Sequence, residues 1–342
     1  GARQAPGVLD VLSYWNKPAA DGLDDPAIRE KLPARHQYFH TTEINFNDQP
    51  IALVVATTLE DATYAATLLK ATYTETDFEV AFDKASEKAT LTDASDDRGS
   101  QAAWENAPHI INEEYHIAME VHNPMEMHAT IAHWEAEDQL RLYDKTQGVN
   151  GVQANLGALF QLDTNNIRVT SEFVGGGFGS GLLVWFNTVA AALAAKHLQR
   201  PVKVVLTRPQ MFSMVGYRPE SWQRVKIGAD NTGKLLGILH QSKHSTSQKG
   251  YFAESITGIS HKVYGFENVA RDSVVFPLHL SLPTWMRGPG DSTGTFGVES
   301  AIDELCYQMD ADPVTLRLNN IAPYEMQTGN PWSSHFLDAC IQ

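Results

Sequence analysis

Val174-Gly175-Gly176-Gly177-Phe178-Gly179-Ser180-Gly181-Leu182 stands where a strand pattern hands over to a helix pattern. Upstream, Ile167 to Val174 alternates apolar and polar residues, as a half-buried strand does. Downstream, Leu182 to Ala195 is a run of good helix formers, apolar on nearly every face. Five of the seven residues from Gly175 to Gly181 are glycine, so the backbone can turn tightly and approach a ligand closely. A helix opening there would aim unpaired N–H groups and the positive end of its dipole at the loop, which suits an anion. The spacing fits neither G-x-G-x-x-G nor the P-loop, which needs Lys and Ser/Thr at the helix start. Glycine-rich turns also commonly bind nothing, and that alternative stands beside the binding loop on composition alone. Phe178 favours binding, because a large aromatic among glycines is awkward in a plain turn but useful as a wall beside a reactive centre.

Outward from this loop the chain reads as a mixed α/β (α+β) protein. After the apolar helix, Val202 to Leu206 is the next strand, and this strand–helix–strand unit predicts parallel strands. Before the loop come strands Ile110 to Val121, Glu126 to Trp134 and Gln139 to Asp144, the last two a hairpin, then a helix Gly151 to Gln161. Beyond it, Ser221 to Ile227 and Leu235 to His244 form a hairpin across Asn231-Thr232-Gly233. A helix over Thr295 to Met309 and a short one capped by Asp312-Pro313 follow. Near the start, Ile51 to Ala56 is a strand and Thr58 an N-cap, with Asp61 three residues on, for a helix from Leu59 to Ala71. These patterns divide the chain into a small α/β domain over 1–90, a polar linker over 91–107 that includes Asp93, Asp96 and Asp97, and a larger domain over 108–342.

The charge balance of 26 basic against 41 acidic residues gives −15, and with no Lys/Arg cluster this argues against nucleic acid as a partner. Cys306 and Cys340 are too few for an iron–sulfur cluster or a cysteine-rich zinc site, so any electron transfer needs another chain. The apolar run after the glycine loop reads as a core helix, too short for a membrane span and interrupted by Asn187. No signal segment is visible, the start at Gly1 without methionine has the look of a trimmed chain, and the compartment is left open.

Two further positions could join the loop. Arg287, between Met286 and Gly288-Pro289-Gly290 before a helix, offers a fixed cationic fork for a phosphate or oxo group. Gln147, just after a strand, could donate its amide into a pocket. Taken singly, each is equally an ordinary loop residue. A rival is His122-Asn123-Pro124-Met125-Glu126-Met127-His128, with His133 beyond. In extended chain His122, Glu126 and His128 share a face and could meet a zinc ion as a hydrolase centre. Ligands spread along a strand chelate one ion poorly, however, and Glu126 fits better as a support beneath a ligand pocket. No G-x-S-x-G elbow is present.

Taken together, these residues resemble the large, molybdopterin-binding subunit of the xanthine oxidase family of molybdenum hydroxylases, nearest its bacterial aldehyde oxidoreductases. V-G-G-G-F-G at 174–179 is the most specific piece. Others are Ala5-Pro6-Gly7-Val8-Leu9, Gln49-Pro50-Ile51-Ala52, Met125-Glu126-Met127-His128, Arg208-Pro209, Tyr217-Arg218-Pro219, Met286 to Gly290, Ala301 to Leu305, and Asp312-Pro313-Val314 with Leu316-Arg317. The resemblance implies a partial, hammerhead-like small domain followed by the first part of the molybdopterin-binding domain, with mixed sheets and packed helices. It implies that Gln147 hydrogen-bonds an oxygen ligand of molybdenum and that the main chain at Gly176, Gly177, Phe178 and Gly179 lies against the metal's other face. Arg287 would contact the cofactor near the pterin, and no residue would ligate the metal directly.

The implied reaction is oxidation of an aldehyde or N-heterocycle to the acid or hydroxylated product with water as oxygen source. Electrons would leave through Fe-S clusters and FAD on partner subunits, and bacterial relatives imply a cytosine dinucleotide form of the cofactor. Leu182 stands where purine-specific members place Glu, which favours aldehydes, and Gly181 replaces a lysine common in the family. The family's glutamate base lies in a segment past Gln342, so no catalytic residue is expected within this span, and the first domain looks entered part-way. The isolated chain is therefore expected to be inactive, the remaining molybdopterin-binding half being a needed partner. A cofactor-free scaffold of the same fold is the non-enzymatic alternative.

Overall fold

The computed structural model describes residues 1–92 and 94–342. Near the start, Val8–Ser13 (β1) pairs antiparallel with Ala52–Ala56 (β2), the expected apolar strand; β1 itself is a strand not anticipated from the sequence. Two single-turn helices, Asp21–Asp24 (α1) and Pro26–Arg29 (α2), lie between them. Helix α3 (Leu59–Thr67) opens at the expected cap: the Thr58 hydroxyl oxygen accepts the Asp61 N–H at 3.1 Å.

The polar stretch read as a linker is partly built into the fold. After helix α4 (Phe82–Lys88), Ser95–Arg98 forms an edge strand (β3), and Trp104 is only 2% exposed. Asp93 lies outside the described residues.

Strands His109–Ile117 (β4), Ser221–Ala229 (β9), Leu235–Ser247 (β10) and Asn268–Leu278 (β11) join β3 in a mixed sheet ordered β3-β11-β10-β9-β4. All its pairings are antiparallel except β10 with β11. Val225, Ile227, Ile238 and Val269 of its inner face pack on Val298, Ile302 and Leu305 of helix α8 (Asp291–Met309). The Asp312 carboxylate caps helix α9 (Pro313–Asn320) by accepting the Thr315 N–H at 2.7 Å, and a short helix α10 (Leu337–Ile341) ends the chain as described.

The second sheet carries the glycine loop. Its order is β7-β6-β5-β8, formed by Ile167–Thr170, Gln139–Asp144, Ala129–Ala136 and Val202–Val205. β6 and β7 are parallel, while β5 is antiparallel to both β6 and β8. β7 and β8 therefore run in the same direction, as the strand–helix–strand reading requires, but stand at opposite edges with two strands between them.

Helix α5 (Val149–Phe160) and helix α6 (Phe186–Leu198) cover this sheet. Every residue of α6 from Phe186 to Ala195 is buried, and Leu12, Leu23, Phe39 and Val55 from the first ninety residues share the same core. By length and composition Ser180–Leu198 would suffice to cross a membrane, contrary to the expectation that it is too short. Its apolar window is 72% buried inside the protein, which identifies it as the core helix of this fold. Asn187 is accommodated there because its side-chain N–H donates to Thr130 Oγ1 at 2.9 Å. A further turn, α7 (Gln210–Ser213), follows β8.

One local expectation is corrected. The helix does not begin at Leu182: a 3-10 turn over Ser180–Leu182 intervenes, and α6 starts at Phe186. Phe178 and Gly179 have φ of 55° and 109°, so the chain must leave the loop through a reversal before it can wind into the helix. Any donors the loop offers are therefore its own unpaired amides rather than a helix N-terminus.

Candidate functional site

β6 and β7 are parallel neighbours, so the segments after them emerge at one edge of the sheet. Gln147 follows β6, the glycine loop follows β7, and the two interlock. Gln147 Oε1 accepts the N–H groups of Gly179 at 3.1 Å and Gly181 at 3.0 Å, while the Gln147 backbone N–H donates to Gly181 O at 2.9 Å. This close approach needs glycine at 177, where a Cβ would overlap the Gln147 carboxamide. Gly179 is held more strictly, since at φ 109° its Cβ would overlap the Trp285 carbonyl oxygen. From the other side, Glu126 accepts the Gly176 N–H at 2.6 Å, and that bond holds its carboxyl below the usual range. Glu126 is thus a support of the loop, as expected for it.

Arg287 enters the same place from the loop before α8. Its backbone N–H donates to Phe178 O at 2.9 Å, and its guanidinium carbon lies 5.8 Å from the centre of the Phe178 ring. Among the described residues, no protein acceptor meets the N–H groups of Gly177 and Phe178, the Gln147 Nε2 or the Arg287 guanidinium. These are unspent donors, one of them cationic, around a 42% exposed aromatic ring. Such a set fits an anionic, oxygen-rich group with a flat ring system, and with it the molybdopterin cofactor expected from the sequence. Leu182 sits beside it in the 3-10 turn, 44% exposed, with Met125 and Phe173 more exposed still.

Residues to which sequence reasoning gave another role, or none, hold the two loops in place. His122 Nε2 lies 2.7 Å from Trp285 O. Arg218 donates to Arg287 O at 2.8 Å and to the Glu120 carboxylate at 2.7 Å, and its Nε is 3.5 Å from Glu254 Oε1. Glu254, with a fully buried side chain, accepts the Gly290 N–H at 3.0 Å and the Thr293 hydroxyl at 3.2 Å. Tyr217-Arg218-Pro219 figured only as part of a resemblance, and Glu254 in Phe252-Ala253-Glu254-Ser255 carries no local signal at all.

Beneath the glycine loop lies a buried polar cluster. Ser180 Oγ donates to Gly177 O at 2.8 Å and lies 3.2 Å from His128 Nε2, which is 3.3 Å from Lys145 Nζ. Burial pushes His128 down to about 3 and lowers Lys145, while it raises the neighbouring Asp144. The Asp144 carboxylate accepts the hydroxyls of Thr130 and Thr188.

The zinc reading is overturned. Residues 121–128 form irregular chain rather than a strand, because Pro124 and the left-handed Asn123 (φ 37°) break the alternation. His122, Glu126 and His128 are each committed to a different partner, Trp285, Gly176 and Ser180, and no group of three metal-ligating side chains occurs among the described residues.

Residues 82–321 match the family described as the molybdopterin cofactor-binding domain. The aldehyde oxidoreductase molybdenum-binding subunit PaoC of Escherichia coli is 32% identical over 325 residues, which is 93% of this chain and 43% of that protein. The chain thus spans less than half the length of such relatives. Aldehyde oxidoreductase from Desulfovibrio gigas superposes with a TM-score of 0.84 at 19% identity, covering 99% of this chain and 40% of that one. Quinoline 2-oxidoreductase from Pseudomonas putida 86 gives 0.83 at 19% identity, covering 99% and 47%. At that identity these structures establish the mixed α/β fold. With the family match running over most of its length, the chain belongs to the molybdopterin cofactor-binding domain family, within the aldehyde oxidase and xanthine dehydrogenase group of molybdenum oxidoreductases.

Proposed function

We propose that Gln147, the main chain over Gly176–Gly179 and Arg287 form one wall of a molybdopterin site in an enzyme that oxidises aldehydes with water. The observation that carries this reading is the convergence of three distant segments on one patch of unspent donors around Phe178. The Gln147 amide and the Gly177 and Phe178 N–H groups orient the bound group by donating to its oxygens, and Arg287 neutralises its charge. When bound, that group supplies the two-electron oxidation chemistry. Leu182, exposed at the rim, gives the substrate an apolar neighbour and favours an aldehyde over a heterocycle that needs a carboxylate partner.

The general base, the remaining wall and the phosphate contacts of a cytosine dinucleotide belong to the length of the relatives that this chain does not span. Two electrons then pass to Fe-S and FAD partner subunits, and residues 1–342 alone do not turn over aldehyde. Relatives named as a molybdenum-binding subunit and as a nicotine 6-hydroxylase large subunit support a multi-subunit assembly. Metal and pterin analysis of the full-length protein tests the reading: molybdenum and pterin in equal amounts are expected, both lost together in Arg287→Ala. A complex repeatedly purified without either would refute it and leave the cofactor-free scaffold.

A further inference from the structure

We infer that Lys145 is a positioning residue: through His128 and Ser180 it fixes the inner edge of the glycine loop and sets a buried positive charge behind it. The inference rests on reading that loop as the pterin site. Lys145 is 9% exposed, and among the described residues it forms no direct ion pair; Glu126 and Asp144 favour its charge only from beyond contact distance. Its two nearest acids are occupied elsewhere, Asp144 by the hydroxyls of Thr130 and Thr188 and Glu126 by the Gly176 N–H. A buried cation without a counter-ion is costly, and persists where something else compensates it.

The contacts of Lys145 lead to the loop. Nζ is 3.3 Å from His128 Nε2, a ring only 2% exposed and held neutral by burial. A charged Lys145 has donors only, so this nitrogen must be the unprotonated one, which fixes the ring's tautomer. The fully buried Ser180 hydroxyl then has a single proton and two acceptors, His128 Nε2 at 3.2 Å and Gly177 O at 2.8 Å. Gly177 O also accepts the Ser180 N–H at 3.0 Å. The peptide that carries the free Phe178 N–H is therefore the one whose carbonyl this chain of contacts holds. Lys145 thus does two things from inside the protein. It orients a donor of the wall, and its charge favours an anion on the far side of a loop that is mostly glycine.

The test uses the full-length holoprotein, with molybdenum and released pterin measured per folded chain and their loss followed over time. Lys145→Met, similar in length but uncharged, is expected to keep the far-ultraviolet circular dichroism of wild type and to lose bound pterin about tenfold faster. Lys145→Arg should restore most of the retention, which mere filling of space would not. Ser180→Ala, which keeps the charge but cuts the contact to Gly177 O, should show a smaller loss. Wild-type retention in Lys145→Met overturns the proposal; if that variant does not fold, wild-type retention in Ser180→Ala does so instead. Wild type free of molybdenum and pterin would refute the reading of the site rather than the role of Lys145.

Discussion

Replacing Gly179 with alanine probes the part of the fold on which the site depends. Its φ of 109° is a conformation L residues rarely adopt, at a cost of about 1–2 kcal/mol. The new Cβ would overlap the Trp285 carbonyl oxygen and lie 2.7 Å from its carbon, so the obstacle is main chain and cannot rotate aside. Overpacking of this kind costs about 1–3 kcal/mol more, for a total of roughly 2–5 kcal/mol. For 342 residues unfolding together, at about 2.1 cal/mol/K of unfolding entropy per residue, that corresponds to a fall in Tm of roughly 3–7 °C. The relief available is separation of the two loops, which would break the bond from Arg287 N–H to Phe178 O and move Arg287 from the ring. Thermal unfolding of the full-length protein should therefore show the lower Tm, and pterin content should fall with it. Gly151→Ala is the control: it lies exposed in α5 with nothing near its Cβ, and should stabilise by about 1 kcal/mol through helix propensity. A Gly179→Ala protein with the Tm and pterin content of wild type would refute the claim that the loops are in obligatory contact.

Two further outcomes follow from the buried groups. Glu254→Ala removes the acceptor of Gly290 N–H and Thr293 and leaves Arg218 without its buried counter-charge, so stability should fall by about 3–5 kcal/mol in urea unfolding; a loss under about 1 kcal/mol would mean that the pair does not hold the Arg287 loop. Burial pushes His36, His128 and His240 to about 3 and His244 to about 4, whereas an unfolded histidine protonates near 6.5. Between those values the unfolded chain binds the extra protons, so stability present above about pH 6.5 is lost as pH falls, each histidine adding about 1.4 kcal/mol per pH unit. The unfolding midpoint should thus be well below its pH 7 value at pH 5, and a midpoint unchanged or higher at pH 5 would show that these rings are not buried neutral.

What could be read from the sequence was whatever is local. The hairpin of β9 and β10 and the caps at Thr58 and Asp312 stand where they were expected, and the apolar run does form the helix α6. The start of α6 was not legible, because helix propensity continues through Leu182 and only the backbone reversal at Phe178 and Gly179 delays winding. The neighbours of β7 were hidden for a different reason: strand–helix–strand order fixes direction but not how many strands lie between. The zinc alternative at His122–His128 needed extended chain through Pro124, and Pro124 with the left-handed Asn123 breaks it. Glu126 was read as a structural support and does grip the glycine loop, but its partner Gly176, fifty residues away in sequence, was not legible.

The split between legible and hidden residues follows from how the site is made. Two of the four donor groups of the proposed site are main-chain N–H groups, and a backbone donor cannot be re-aimed by changing a rotamer. Its direction is set only by what grips the neighbouring peptide. The parallel pairing of β6 and β7 brings Gln147 and the glycine loop to one edge of a sheet, the position at which open α/β sheets place ligands. The remaining grips come from afar: Glu126 on Gly176, His122 on Trp285, Arg218 on Arg287, Glu254 on Gly290. None of these four needs to touch a bound group, so none need bear the chemical signature of a site. Their common property is a charged or imidazole side chain spent on a main-chain atom of a loop. In a site built from backbone, that expenditure marks function as clearly as an exposed catalytic side chain does elsewhere.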